Sequence, residues 1–133
     1  MDRKSNILAD EAPRTIGWTL DRGQRAELLV RCVPLWPDVI ADHVTLESRT
    51  TAPLPDAVEA AIVGEARDIN GLQVLVVAID GTTDRPDGSS YHISWSLDRA
   101  RGWRPVHSND VIRRCGWTAL DQPVPIKLTP AVL

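Results

Sequence analysis

The chain has 133 residues, 43% of them apolar, with a net charge of −3, which fits one domain with a sizeable core. That acidic balance excludes a general nucleic-acid coat protein, because a polyanion would have to be met by a local basic patch rather than by the field of the whole molecule. No apolar run approaches the roughly 18 residues that a membrane span needs, and the polar first 13 residues lack the apolar centre of a secretory signal.

Residues 1–14 carry charges, Asn and Pro without periodicity and read as a flexible N-terminal arm, leaving 15–133 as a single domain. Residues 15–20 alternate around Trp18 and read as a strand. From Gly23, the residues Ala26, Leu29, Val30 and Val33 recur at helical spacing and predict one apolar stripe, ended by Pro34 and Pro37. Residues 39–48 read as one strand, with Val44 and Leu46 on one face and His43, Thr45 and Glu47 on the other. Residues 57–67 are Ala-rich, yet Val58, Ala60, Ile62 and Gly64 fit a period of two, so a strand is expected there. Asn70-Gly71 signals a hairpin turn into a buried strand over 72–79.

Residues 81–90 are loop-like, and 91–97 form a second histidine strand with Ile93, Trp95 and Leu97 opposite His92, Ser94 and Ser96. A basic loop over 98–105 follows. Ser108 reads as the N-cap of a helix through Val111, Ile112 and Cys115 that stops at Gly116, and residues 125–129 as a closing strand. The order β-α-β-β-β-β-α-β, with antiparallel hairpins, is an α+β arrangement of helices on a sheet. Cys32 and Cys115 fall in the helical stretches, outside any CxxC, and are expected as reduced core thiols of a soluble cytoplasmic protein. Trp18, Trp36, Trp95 and Trp117 are expected in the core, and Tyr91, next to His92 in sequence, faces away from it.

The chemistry concentrates in His43-Val44-Thr45 and His92-Ile93-Ser94. Residues two apart on a strand share a face, so each tripeptide projects an imidazole beside a hydroxyl. Histidine is the side chain whose ordinary pKa lies near neutrality, so a pair can be held with one ring neutral and one protonated. The hydroxyls can donate to phosphate oxygens as charge builds on them. His107, ahead of Ser108, reads as a helix-entry residue. Arg99, Arg101 and Arg104 around Trp103 offer guanidiniums for phosphates and an indole for a base, making Arg101, Trp103 and Arg104 candidate substrate contacts.

The two HxT/S motifs, in His43-Val44-Thr45-Leu46 and Tyr91-His92-Ile93-Ser94-Trp95-Ser96-Leu97, resemble the signature of the 2H phosphoesterase superfamily. With Ala41-Asp42, Gly17-Trp18-Thr19 and Ser108-Asn109-Asp110, the chain is most similar to the cyclic phosphodiesterase modules associated with RNA repair and tRNA ligases. The resemblance implies a bilobal α+β fold, two mainly antiparallel sheets flanking a cleft with helices outside, and one motif on each sheet. It implies hydrolysis of 2′,3′-cyclic phosphates on RNA ends or small nucleotides, with His43 and His92 as acid and base and Thr45 and Ser94 on the phosphate. No metal or other cofactor is expected, since two imidazoles supply the proton transfers. The alternative on the same scaffold is an idle RNA-end or nucleotide-binding module.

Overall fold

A computed structural model describes residues 12–133. The N-terminal arm therefore lies largely outside the described residues, and its last predicted residue, Arg14, already belongs to a strand. In chain order the elements are β1 (Arg14–Leu20), α1 (Arg22–Arg31), β2 (Asp38–Val39), β3 (His43–Thr50), β4 (Ala60–Asp68), β5 (Leu72–Ile79), β6 (His92–Leu97), α2 (Ser108–Cys115), β7 (Thr118–Ile126) and β8 (Leu128–Val132). The strands form a three-stranded sheet in the order β3-β1-β8 and a five-stranded sheet in the order β2-β6-β5-β4-β7. Every pairing is antiparallel. The expected α+β class with two antiparallel sheets and two helices is thus the class observed. Among the described residues no helix is long and apolar enough to cross a membrane.

Two strands expected to be continuous change sheets midway. The run 39–48 divides into β2, paired with β6 in the larger sheet, and β3, paired with β1 in the smaller one. The turn between them is forced by Ala41, fully buried at φ 45°, in the left-handed region that non-glycine residues rarely adopt. Its neighbours hold it there. Ala41 N donates to the Ser94 carbonyl at 2.9 Å, while Arg25 of α1 donates to the carbonyls of Ala41 and Ile40 at 2.8 and 3.2 Å. The predicted strand 125–129 likewise splits at Lys127 into β7 and β8, one in each sheet. Pro123 and Pro125 are tolerated because β7 is an edge strand of its sheet.

The main core lies between the sheets. Trp18, Leu20 and Val44 of the smaller sheet meet Ile62, Leu75, Val77, Ile93 and Trp95 of the larger, with Leu28 of α1 closing one side. A second cluster, Val74, Val76 and Leu97 against Val111 and Ile112 of α2, covers the other face of the larger sheet. Its central strand β5 is therefore buried on both faces, which explains its nearly unbroken apolar run. Fully burying each such Val or Leu is worth roughly 1.5–3 kcal/mol.

Helix α1 turns a face other than the predicted one. Val30 and Val33 are 80% and 65% exposed, whereas Leu28 is buried with Leu29 and Cys32 beside it. Polar residues decide the orientation. Gln24 exchanges hydrogen bonds with the Pro125 carbonyl and Lys127 amide at 2.8 and 2.6 Å, and Arg25 grips the sheet switch. Ser108 is the first residue of α2 and not its cap, because its hydroxyl turns inward to Ser94. Trp18 and Trp95 are core as expected and Tyr91 packs edge-on against Trp18, but Trp117 is exposed, lying over Gly64, and so is the Cys115 thiol.

Candidate active site

The two histidine tripeptides lie on strands of different sheets that touch each other, β3 and β6. His43 and Thr45 from one strand and His92 and Ser94 from the other line a single cleft of about 260 Å³. The backbone bond from Ala41 to Ser94 fixes the start of β3 against β6, so the covalent path into His43 is anchored to the partner motif itself. Gly17 lies opposite Thr45, and a Cβ there would overlap the Val44 carbonyl, so only glycine lets β1 approach this closely.

Each motif is followed by a β-bulge. On β3, Thr45 pairs with Gly17 and Glu47 with the next residue, Ile16, which leaves Leu46 as the extra residue. On β6, Ser94 pairs with Val74 and Ser96 with Gln73, leaving Trp95 extra. A one-residue slip reverses every later side chain. Glu47 and Ser96, expected on the histidine faces, are therefore turned away. Ser96 is fully buried and bonded to Gln73 and to the Leu35 and Trp36 amides, while Leu97 moves to the α2 side. Ser48 takes the cleft position predicted for Glu47.

The imidazoles differ in their surroundings. His43 Nδ1 donates to Asp42 Oδ2 at 3.0 Å, and Asp42 also accepts from Arg22 Nη2 at 2.6 Å. Burial works against the Asp42 charge, but the His43 and Arg22 hydrogen bonds prevail and hold its carboxyl below the usual range. His92 Nδ1 lies 2.9 Å from the Ser90 carbonyl, which can only accept, so Nδ1 carries the proton and Nε2 keeps a lone pair when the ring is neutral. Burial pushes the His92 pKa below its ordinary value, and the Arg85 guanidinium and His43 add to this against the Ser90 hydrogen bond. The Ser94 hydroxyl is 2.7 Å from Ser108 Oγ and 3.4 Å from the Pro105 carbonyl. The Thr45 hydroxyl has no such partner among the described residues.

Arg101, Trp103 and Arg104 are not brought into this cleft. Trp103 donates its indole N–H to the Asn70 carbonyl at 2.9 Å and packs beside Gly71 and His107, and Arg101 pairs with Asp98 and lies over Trp36. Arg104 is exposed, and its amide donates to His107 Nδ1 at 3.1 Å. Arg101, Trp103 and His107 border a separate surface hollow with Arg114 and Asp110. Arg85 and Asn109 do line the cleft and were missed. Arg85 sits in the loop 81–90, where no periodicity marks one side chain as inward. Among the described residues no group of three or more His, Cys, Asp or Glu side chains is arranged to hold a metal ion. Comparison with known proteins finds no family model, no curated protein and no solved structure that matches the chain.

Proposed function

We propose that this protein is a 2H-type phosphodiesterase that opens 2′,3′-cyclic phosphates of RNA ends or nucleotides without a metal ion. The observation that carries the reading is the convergence of His43 with Thr45 and His92 with Ser94, from two different sheets, on one small cleft. His92, kept neutral by burial, takes the proton from water as its oxygen bonds to phosphorus. The bond from phosphorus to one ribose oxygen breaks, and His43, oriented by its hydrogen bond to Asp42, acts as the acid that gives that oxygen its proton. The product is a phosphomonoester on the ribose, at the RNA end or on the free nucleotide. The rings have exchanged protonation states and return to their starting forms through solvent. Thr45 and Ser94 donate to the non-bridging oxygens as negative charge grows there.

Incubation with 2′,3′-cyclic AMP and with a cyclic-phosphate-ended oligonucleotide, both in EDTA, tests this. Turnover that survives the chelator and disappears in His43→Ala and His92→Ala is the expected result. Folded wild-type protein that turns over neither substrate overturns it. Nucleotide binding without turnover identifies the idle binding module instead, and activity lost to EDTA identifies a metal-dependent reaction.

A further inference from the structure

Among the described residues, Arg85 is the only buried cationic side chain. A guanidinium withdrawn from water is costly to hold unless its charge is matched, and this one is poorly matched. Its Nε and Nη2 both donate to one neutral acceptor, the Leu46 carbonyl, at 3.3 and 3.2 Å. The carboxylate of Asp87 is 3.5 Å from Nη2 and itself largely exposed. With the Asn109 amide oriented by its partners, so that its nitrogen donates to the Ser90 carbonyl at 3.2 Å, its oxygen accepts from Arg85 Nη1 at 3.3 Å. Of the five N–H groups of a guanidinium, these contacts occupy four. The second Nη1 proton has no acceptor among the described residues.

The position matters as much as the charge. Arg85 borders the histidine cleft, and on its other side a neighbouring cavity of about 460 Å³, so the guanidinium is reachable although its residue is buried. It is also near enough to His92 to disfavour a proton on that ring. We propose that Arg85 is a substrate-binding residue that clamps the anionic phosphate between the two histidines, its unpaired Nη1–H and its charge supplementing the Thr45 and Ser94 hydroxyls. Asn109 is then a positioning residue, holding the fork of the guanidinium toward the cleft. This rests on the phosphodiesterase reading, and it names a residue that the HxT/S pattern does not contain.

Arg85 also ties its loop to the bulge of β3 through Leu46, so the test has to separate clamping from scaffolding. The first measurement uses wild-type protein: titration with inorganic phosphate and with adenosine 3′-monophosphate, observing the Arg85 Nε–H and the histidine rings by NMR. The Arg85 resonance is expected to move with the same saturation curve as His43 and His92. In Arg85→Gln, affinity for both probes is expected to fall about 10- to 100-fold, as for a lost hydrogen bond to a charged group. Arg85→Lys recovers part of that loss, having the charge without the fork.

Histidine resonances that move while Arg85 stays still overturn the clamp, as does a folded Arg85→Gln protein with wild-type phosphate affinity. Because the wild-type titration needs no variant, a substitution that fails to fold leaves the clamp fully testable. Phosphate binding that moves Arg85 in a protein without turnover upholds the clamp and overturns the phosphodiesterase reading. Turnover and phosphate affinity unchanged in Arg85→Gln do the reverse.

Discussion

Strands β3 and β6 present nearly the same tripeptide in nearly the same way. Each places an imidazole and a hydroxyl on one face and an apolar residue between them, then a bulge that turns the following side chain away. Their surroundings diverge. His43 stands at an edge strand, partly exposed and against a carboxylate that Arg22 also contacts. His92 is set deeper, against a backbone carbonyl, with a guanidinium nearby. A carboxylate beside a ring fixes the ring's orientation and which nitrogen faces the cleft, while burial beside a cation favours the neutral form. In the proposed reaction the two copies of one motif take opposite proton-transfer tasks. The lesson is that the motif supplies the reactive groups and its neighbours supply their roles.

The harshest way to break this comparison is to remove each ring. His43→Ala and His92→Ala should each lower kcat on 2′,3′-cyclic AMP by about 10²–10⁴-fold, the usual worth of a general acid or base. Circular dichroism should stay native, since neither ring is part of the core clusters. If one variant kept near-wild-type kcat, the two-ring division of labour would fail. Next in size is Asp42→Asn, which keeps the shape but removes the carboxylate that orients His43. A loss of roughly 10- to 100-fold in kcat is expected, the scale of one hydrogen bond to a charged group. The matching change at His92 cannot be made by side-chain substitution, because its partner is the Ser90 backbone.

Acid titration sharpens the same contrast. The folded-state pKa of His92 lies below the ordinary value of about 6.5. Between the two values the unfolded chain binds the extra proton and the folded chain does not, so unfolding is favoured as pH falls through that window. Above about 6.5 this penalty is absent. Wild-type Tm should therefore decline on acidification through the window, and His92→Gln should lose that part of the slope. The acidic limb of kcat/KM, set by the base, should lie below the same ordinary value. A limb above it would reassign the base.

The site was more legible than the path that builds it. Period-two patterns identified β3, β4 and β6 and put His43 with Thr45 and His92 with Ser94, because alternation survives over a few residues regardless of tertiary context, and β5 was marked by an apolar run behind the Asn70-Gly71 turn. Beyond each motif the reading slipped by one residue, since a bulge has no composition of its own: Leu46 and Trp95 are ordinary strand residues. The sheet switches were hidden for a related reason. Ala41 and Lys127 are not turn-formers, and the left-handed backbone at Ala41 is imposed by Arg25 and Ser94, distant in sequence. The face of α1 was misjudged because hydropathy counts Val30 and Val33 but not the hydrogen bonds of Gln24 and Arg25. The basic run around Trp103 drew attention by composition, whereas the arginine in the cleft stands isolated between Asp84 and Pro86.

The hydroxyls carry the finest part of the comparison. Thr45 is left to the ligand, but Ser94 shares its hydroxyl with Ser108 at 2.7 Å, both side chains being buried. When Ser108 donates to Ser94, the Ser94 proton is directed either to the Pro105 carbonyl or into the cleft. A phosphate oxygen, being charged, wins that competition over a carbonyl 3.4 Å away. Ser108→Ala removes the donor that fills the Ser94 lone pair and should cost about 0.5–1.5 kcal/mol of stability, the net worth of one ordinary hydrogen bond. Its effect on kcat/KM should be only a few-fold and smaller than that of Thr45→Ala, because Ser94 itself can still reach the phosphate. Should Ser108→Ala instead match the loss in Ser94→Ala, the two serines act as one relay, and the symmetry between Thr45 and Ser94 is one of position alone.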